Sequence, residues 1–149
     1  MRIALCSDEP YPVHAVVRAL LEQRGHEVVP FGAVASGKDE PWAAVAEEAA
    51  LSVAKGACDE GIFFCWTGTG ISMAANKVAG IRAALCTDAA TASGARVWNH
   101  ANVLCLSNRL LSADVAREIL DAWLDTAKGD KGSTGVDRLR EVEARHRRA

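Results

Sequence analysis

Five short, largely apolar runs separated by longer amphipathic stretches constrain the fold of this chain more than any other feature. The runs are Ile3-Ala4-Leu5-Cys6, Val28-Val29, Ile62-Phe63-Phe64-Cys65, Ile81 to Cys86, and Val103-Leu104-Cys105-Leu106. Strands that do not alternate with polar residues are buried on both faces, as in a parallel sheet covered by helices. Helical spacing fills the intervals. Val13, Val16, Val17, Leu20 and Leu21 repeat on one face before the stop at Arg24-Gly25. Pro41 starts an alanine-rich helix running to about Lys55, and Asp88 to Trp98 reads as another. Ser112 is placed to cap a helix carrying Val115, Ile119, Ala122 and Trp123. Gly32 to Glu40 reads as a loop, and a short helix through Lys77 follows the third strand. The order predicts a three-layer, doubly wound (Rossmann-like) α/β fold around a five-stranded parallel sheet.

The chain has 149 residues, enough for one domain of ordinary size. Residues 1–127 hold the five β-α units, and residues 128–149 read as a linker and a C-terminal helix. Lys128 to Gly135 is polar and glycine-rich. Asp137 to Ala149 is charged, with Val136, Leu139 and Val142 as its only apolar line. A stripe that thin does not hold a helix alone in water, so this segment either docks on a partner subunit or remains a solvated tail.

Composition excludes several function classes. A formal net charge of −2 gives no basic surface for nucleic acid or a membrane. No apolar run approaches the roughly 18 residues of a membrane span, and Asp8-Glu9 comes too early for a signal peptide. A cytoplasmic protein is expected. The five cysteines form no CxxC and no His/Cys ligand spacing, and their odd number favours free thiols. No two histidines have metal-ligand spacing, so neither a metal site nor a cofactor is expected. His14 and His26 read as surface or packing features, and Trp42 and Trp123 as core or interface.

In doubly wound sheets, ligands bind beyond the carboxyl ends of the strands. That rule selects Ser7-Asp8-Glu9, Cys65 to Ser72, and Thr87-Asp88. The sequence Cys65-Trp66-Thr67-Gly68-Thr69-Gly70-Ile71-Ser72 is the most informative. Glycines at 68 and 70 allow a tight turn that presents backbone amides, and a helix follows at once. Such a turn accommodates a phosphate or a developing oxyanion, and its field favours the thiolate form of a thiol at the strand end. Cys65 is therefore a candidate base or nucleophile. A buried cysteine ahead of an ordinary strand-to-helix turn fits the same residues. The turn matches neither a Walker P-loop nor the dinucleotide fingerprint.

The stretch IFFCWTGTGISMAANKVAGIRAALCTD resembles the core motif of the ribose-5-phosphate isomerase B family, which includes the galactose-6-phosphate isomerase subunits. Ser7-Asp8, Asn102-Val103-Leu104, Arg109 and Asp121-Ala122-Trp123-Leu124 extend the resemblance over nearly the whole chain. It implies metal-free aldose–ketose isomerisation of a sugar or sugar phosphate. It also implies a homodimer or tetramer with active sites at the subunit interface. By that resemblance Cys65 is the base that moves a proton between C1 and C2 through a cis-enediolate. Thr67 and the amides of Gly68, Thr69 and Gly70 steady the enediolate oxygen, and Asp8 binds substrate hydroxyls. Asn99 lines the pocket from the neighbouring subunit, Arg109 joins the substrate-binding set, and Ser72 and Asn76 brace the loop.

Four positions depart from the family pattern. Glu9 stands where a phosphate-binding histidine is usual, and Trp98 where a ring-opening histidine is usual, with Asn99 and His100 following. Arg138 keeps one of two tail arginines, and Trp66 replaces a glycine. Losing two charge-assisted contacts of about 1.5–3 kcal/mol each weakens the hold on a phosphate at least about a hundredfold. An altered substrate follows: a sugar too short to close a ring, or one lacking the usual phosphate. Two other readings stay open. One is a family member without turnover that serves as a ligand-binding protein or partner subunit; the other is a different enzyme using Cys65 as nucleophile.

Overall fold

In the computed structural model, which describes residues 1–147, every apolar run enters one all-parallel sheet. The strands are β1 (Arg2–Ser7), β2 (Glu27–Gly32), β3 (Glu60–Cys65), β4 (Ala83–Leu85) and β5 (Val103–Ser107), in the order β2-β1-β3-β5-β4. The helices are α1 (Val13–Gln23), α2 (Ala33–Ser36), α3 (Trp42–Ala54), α4 (Thr69–Ala75), α5 (Ala89–Asn99), α6 (Ala113–Asp125) and α7 (Ser133–His146). The doubly wound α/β expectation holds.

Alternation along the central strands divides the core into two layers. Ile3, Leu5, Ile62, Phe64, Leu104 and Leu106 face α1, α5 and α6. Ala4, Cys6, Phe63, Cys65, Val103 and Cys105 face α3 and α4. Both faces are covered, which is why these strands read as continuous apolar runs. Pro30 in β2 is compatible with its position at the sheet edge, since proline cannot donate to a second neighbour.

Three boundaries differ from expectation. The segment Gly32 to Glu40 contains the one-turn helix α2, flanked by Gly32 and Gly37 at positive φ, and one turn leaves no periodicity to read. β4 is shorter than Ile81 to Cys86 because the Ile81 amide donates to Val78 O and the Arg82 amide to Asn102 Oδ1. The expected linker is largely ordered. A 3-10 turn at Asp130–Gly132 leads into α7, which starts before Asp137. Gly132 sits where a Cβ would come within 2.5 Å of Val97 O, so the segment packs closely on the end of α5. Val136 is buried, and Glu143 accepts a hydrogen bond from the Gly80 amide at 2.9 Å, holding α7 to its own chain. Leu139 and Val142 remain exposed. The last part of the helix expected through Ala149 lies outside the described residues.

Candidate active site

The register aligns Ser7 with Phe64 and Cys65 with Ser107, setting the carboxyl ends of β1, β3 and β5 side by side. β1 and β3 are adjacent here, and the connections that follow them leave on opposite faces of the sheet, the arrangement that leaves a crevice. Cys65 terminates β3 on the α3–α4 side. It keeps 5% exposure, whereas Cys6 and Cys105 on the same face have none. Burial pushes the Cys6 and Cys105 thiols well up, and that of Cys86 to about 11, which leaves these three inert.

The turn after Cys65 closes onto its sulfur. The Gly68 amide donates to Cys65 Sγ at 3.2 Å. Gly68 reaches this orientation at φ +80°, and a Cβ there would lie 2.6 Å from Leu85 Cδ1 and 3.0 Å from the Leu106 carbonyl carbon. Only glycine fits. Thr67 and Thr69 hydroxyls bond each other at 2.7 Å, and the Thr69 amide donates to Thr67 Oγ1 at 3.4 Å. The Trp42 ring lies against Gly70, 3.2 Å from where a Cβ would be. Asn76 braces the turn's far side, bonding Ser72 O, Ala83 O and the Ala83 amide.

Asp8 enters from the end of β1. Its carboxyl is pushed above the usual range by burial, then by the neighbouring Glu9 charge, with Asp39 adding to the effect. The Asp8 Oδ1 atom is buried without a hydrogen-bond partner among the described residues. An unpaired buried carboxylate oxygen is costly, and a substrate hydroxyl would satisfy it.

A buried chain of hydrogen bonds supports this arm. The Tyr11 amide donates to His14 Nδ1 at 3.3 Å, which assigns the ring proton to Nε2. Nε2 then donates to Asn108 Oδ1 at 2.7 Å, Asn108 Nδ2 to Ser7 Oγ at 3.1 Å, and Ser7 Oγ to Glu9 O at 2.7 Å. Burial lowers the His14 pKa, only partly offset by its bond to Asn108. The ring also packs 4.7 Å from Phe64. His14 is thus a packing feature that anchors the site. Asn108 and the Gly70-facing Trp42 are further site-forming residues that no local spacing marks.

β5 is joined to β3 past the end of the ladder. Asn108 N donates to Cys65 O at 2.9 Å, Arg109 N to Trp66 O at 3.2 Å, and Ser107 Oγ to Trp66 O at 2.7 Å. The Arg109 guanidinium lies 4.4 Å above the Trp66 ring. The mouth is therefore polarised, with Asp8, Glu9 and Asp39 on the β1 side and Arg109 on the β5 side.

Trp98, Asn99 and Arg138 are not brought to this mouth within one chain. α5 runs back along the sheet and ends beside the amino ends of β3 and β5, where Asn102 O accepts from Gly61 N. Trp98 and Asn99 are exposed there, and Arg138 on α7 pairs with Glu141 at 2.6 Å. His100 takes a left-handed conformation and bonds Gly129 O at 2.8 Å, so it is committed to the linker. Asp88 caps α5, accepting from the Thr91 amide at 2.7 Å and hydroxyl at 2.9 Å, which holds its carboxyl below the usual range. Among the described residues, no group of three or more His, Cys, Asp or Glu is placed to hold a metal ion. Among the described residues, no helix is long and apolar enough to cross a membrane.

The Ribose/Galactose Isomerase family model matches residues 3–142, from the first residues of β1 into α7. The chain belongs to the ribose/galactose isomerase family. It is 39% identical over 133 residues to ribose-5-phosphate isomerase B of Escherichia coli, covering 89% of this chain and 88% of that one. It is 38% identical over 113 residues to D-erythrulose-4-phosphate isomerase of Pectobacterium atrosepticum, covering 76% and 74%. The structure of ribose-5-phosphate isomerase B from Clostridium thermocellum superposes with a TM-score of 0.89 at 37% identity, covering 98% of this chain and 99% of that one. The family match therefore spans the crevice and every residue that forms it.

Proposed function

We propose that this ribose/galactose isomerase chain interconverts an aldose and a ketose phosphate through a cis-enediolate, with Cys65 as the base. The observation that carries this reading is the Gly68 amide aimed at Cys65 Sγ at the crevice edge. The Cys65 sulfur takes the proton from C2 of the aldose, leaving an enediolate, and returns it to C1 while the O2 hydroxyl proton passes to O1, which gives the ketose. Base and substrate carbon need a preorganised donor set as charge moves onto oxygen. Thr67 and the Gly68–Gly70 turn supply it. The unpaired Asp8 oxygen takes a substrate hydroxyl, and Arg109 the anionic end.

The substrate is a short, open-chain sugar phosphate rather than ribose 5-phosphate. Glu9 beside Asp8 and Asp39 makes the β1 side repel phosphate, and the Trp98 side chain cannot shuttle a proton to open a ring. A four-carbon sugar 4-phosphate has no free hydroxyl that closes a furanose, so it needs no ring opening. The relative from Pectobacterium atrosepticum named for D-erythrulose 4-phosphate supports this class. Trp98, Asn99 and Arg138 complete the site from a second copy, because within one chain they lie at the far edge of the sheet.

A screen of four- to six-carbon aldoses and ketoses, each with and without phosphate, tests the reading. Turnover greatest on a four-carbon phosphate is expected. With deuterium at C2 of the aldose, wild type releases label to solvent and Cys65→Ala does not. Turnover of ribose 5-phosphate in preference to the shorter sugars overturns the substrate assignment, and label release by Cys65→Ala overturns the base.

A further inference from the structure

We propose that Trp66 is a positioning residue: its indole face fixes the Arg109 guanidinium at the mouth of the crevice as a preorganised clamp for the substrate's anionic end. This inference rests on the isomerase reading above. Trp66 directly follows Cys65, and the residue is 50% exposed although the one before it is buried. Large aromatic rings in monomer surfaces are ordinary one at a time, but this ring is not idle. Arg109 lies 4.4 Å above it, within the range where the ring quadrupole attracts a cation.

The backbone makes the stack reproducible. Trp66 O accepts from both Ser107 Oγ at 2.7 Å and Arg109 N at 3.2 Å, so the two Cα positions are tied before the side chains meet. Arginine loses less freedom when its planar group is already oriented, and an anion then finds a clamp in place rather than a mobile side chain. The electrostatics of the mouth assign the task. The Glu9 and Asp39 carboxylates beside Asp8 repel an anion on the β1 side, which draws it toward β5. Arg109 is the cation there, and Trp66 sets where it stands.

The pair is tested with Trp66→Leu, which keeps apolar bulk but removes the π face, and Trp66→Phe, which restores a weaker one. An exposed cation–π contact corresponds to about a two- to fivefold change in binding. Trp66→Leu is expected to raise KM for the best phosphorylated substrate by about that factor, with kcat within about twofold, and Trp66→Phe to recover part of the loss. In an Arg109→Ala background, Trp66→Leu should cause no further rise. A KM unmoved by Trp66→Leu, or raised equally with Arg109 absent, overturns the proposal. Protection of Cys65 from iodoacetamide by inorganic phosphate gives a second readout that needs no turnover. If wild type isomerises nothing in the screen, the isomerase reading fails. The same double-mutant comparison on phosphate protection then decides the Trp66–Arg109 coupling. Protection equally strong in Trp66→Leu and wild type rejects it.

Discussion

Gly68→Ala tests the geometry of the turn against the chemistry assigned to it, provided Gly25→Ala is measured beside it. The two glycines share φ +80°, but nothing lies within 4 Å of a Cβ at Gly25. A left-handed alanine costs about 1–2 kcal/mol, offset by about 0.4–1 kcal/mol from a stiffer unfolded chain. Gly25→Ala should therefore lose about 0–1.6 kcal/mol and leave activity alone. At Gly68 the new methyl meets Leu85 Cδ1 at 2.6 Å and the Leu106 carbonyl carbon at 3.0 Å. The first can rotate away. The second is main chain in a buried central strand, so the turn itself must move. Overpacking of this kind adds about 1–3 kcal/mol, bringing the total to about 1–4.6 kcal/mol. That movement displaces the Gly68–Gly70 amides proposed to receive the enediolate oxygen, and loss of one preorganised donor lowers kcat by about a hundredfold. Urea unfolding with unchanged m and steady-state kinetics on the folded variant provide the two readings. Equal destabilisation by both substitutions would refute the packing argument. Normal kcat in a folded Gly68→Ala would refute the role of the amides.

Arg96→Met removes the 2.6 Å partner of buried Glu60 but leaves Lys128 at 3.5 Å and the Trp123 indole N–H at 2.9 Å, so it should lose about 1.5–3 kcal/mol in chemical denaturation; adding Glu60→Gln should restore part of it, and a loss under about 1 kcal/mol contradicts the prediction. His14 is held below the ordinary 6.5 by burial, so below that pH the unfolded chain binds more protons than the folded one. Stability should fall as pH drops through that window, with a shallower slope in His14→Gln; His26, also lowered, cancels in the difference. Glu9→Gln removes the second-largest contribution holding the Asp8 carboxyl up. The acid limb of kcat/KM, where Asp8 must be ionised to accept a substrate hydroxyl, should move to lower pH. An unmoved limb assigns it to another group.

What was legible and what was not divides along sequence separation. Strands buried on both faces announce themselves as apolar runs, and the order of runs and helical faces determines a doubly wound sheet with little freedom left. The Cys65–Gly70 turn is equally local, since a thiol, two glycines and a helix start lie within six residues, and chemistry confined to one turn survives in one dimension. The supports of that turn do not. His14 and Asn108 are 94 residues apart, Asn108 and Ser7 are 101 apart, and each alone looks like an unremarkable polar residue at the end of an element. Trp66 is visible as an oddity beside Cys65, yet its meaning depends on Arg109, which reaches it only because β5 pairs with β3. The same logic explains Trp98, Asn99 and Arg138. Exposed beside the amino ends of β3 and β5, Trp98 and Asn99 reach the proposed site only from a second copy, and so does Arg138 on α7. A sequence pattern can thus nominate the reacting atom while the groups that orient it, polarise the mouth and choose the substrate become visible only when distant strand ends are brought together.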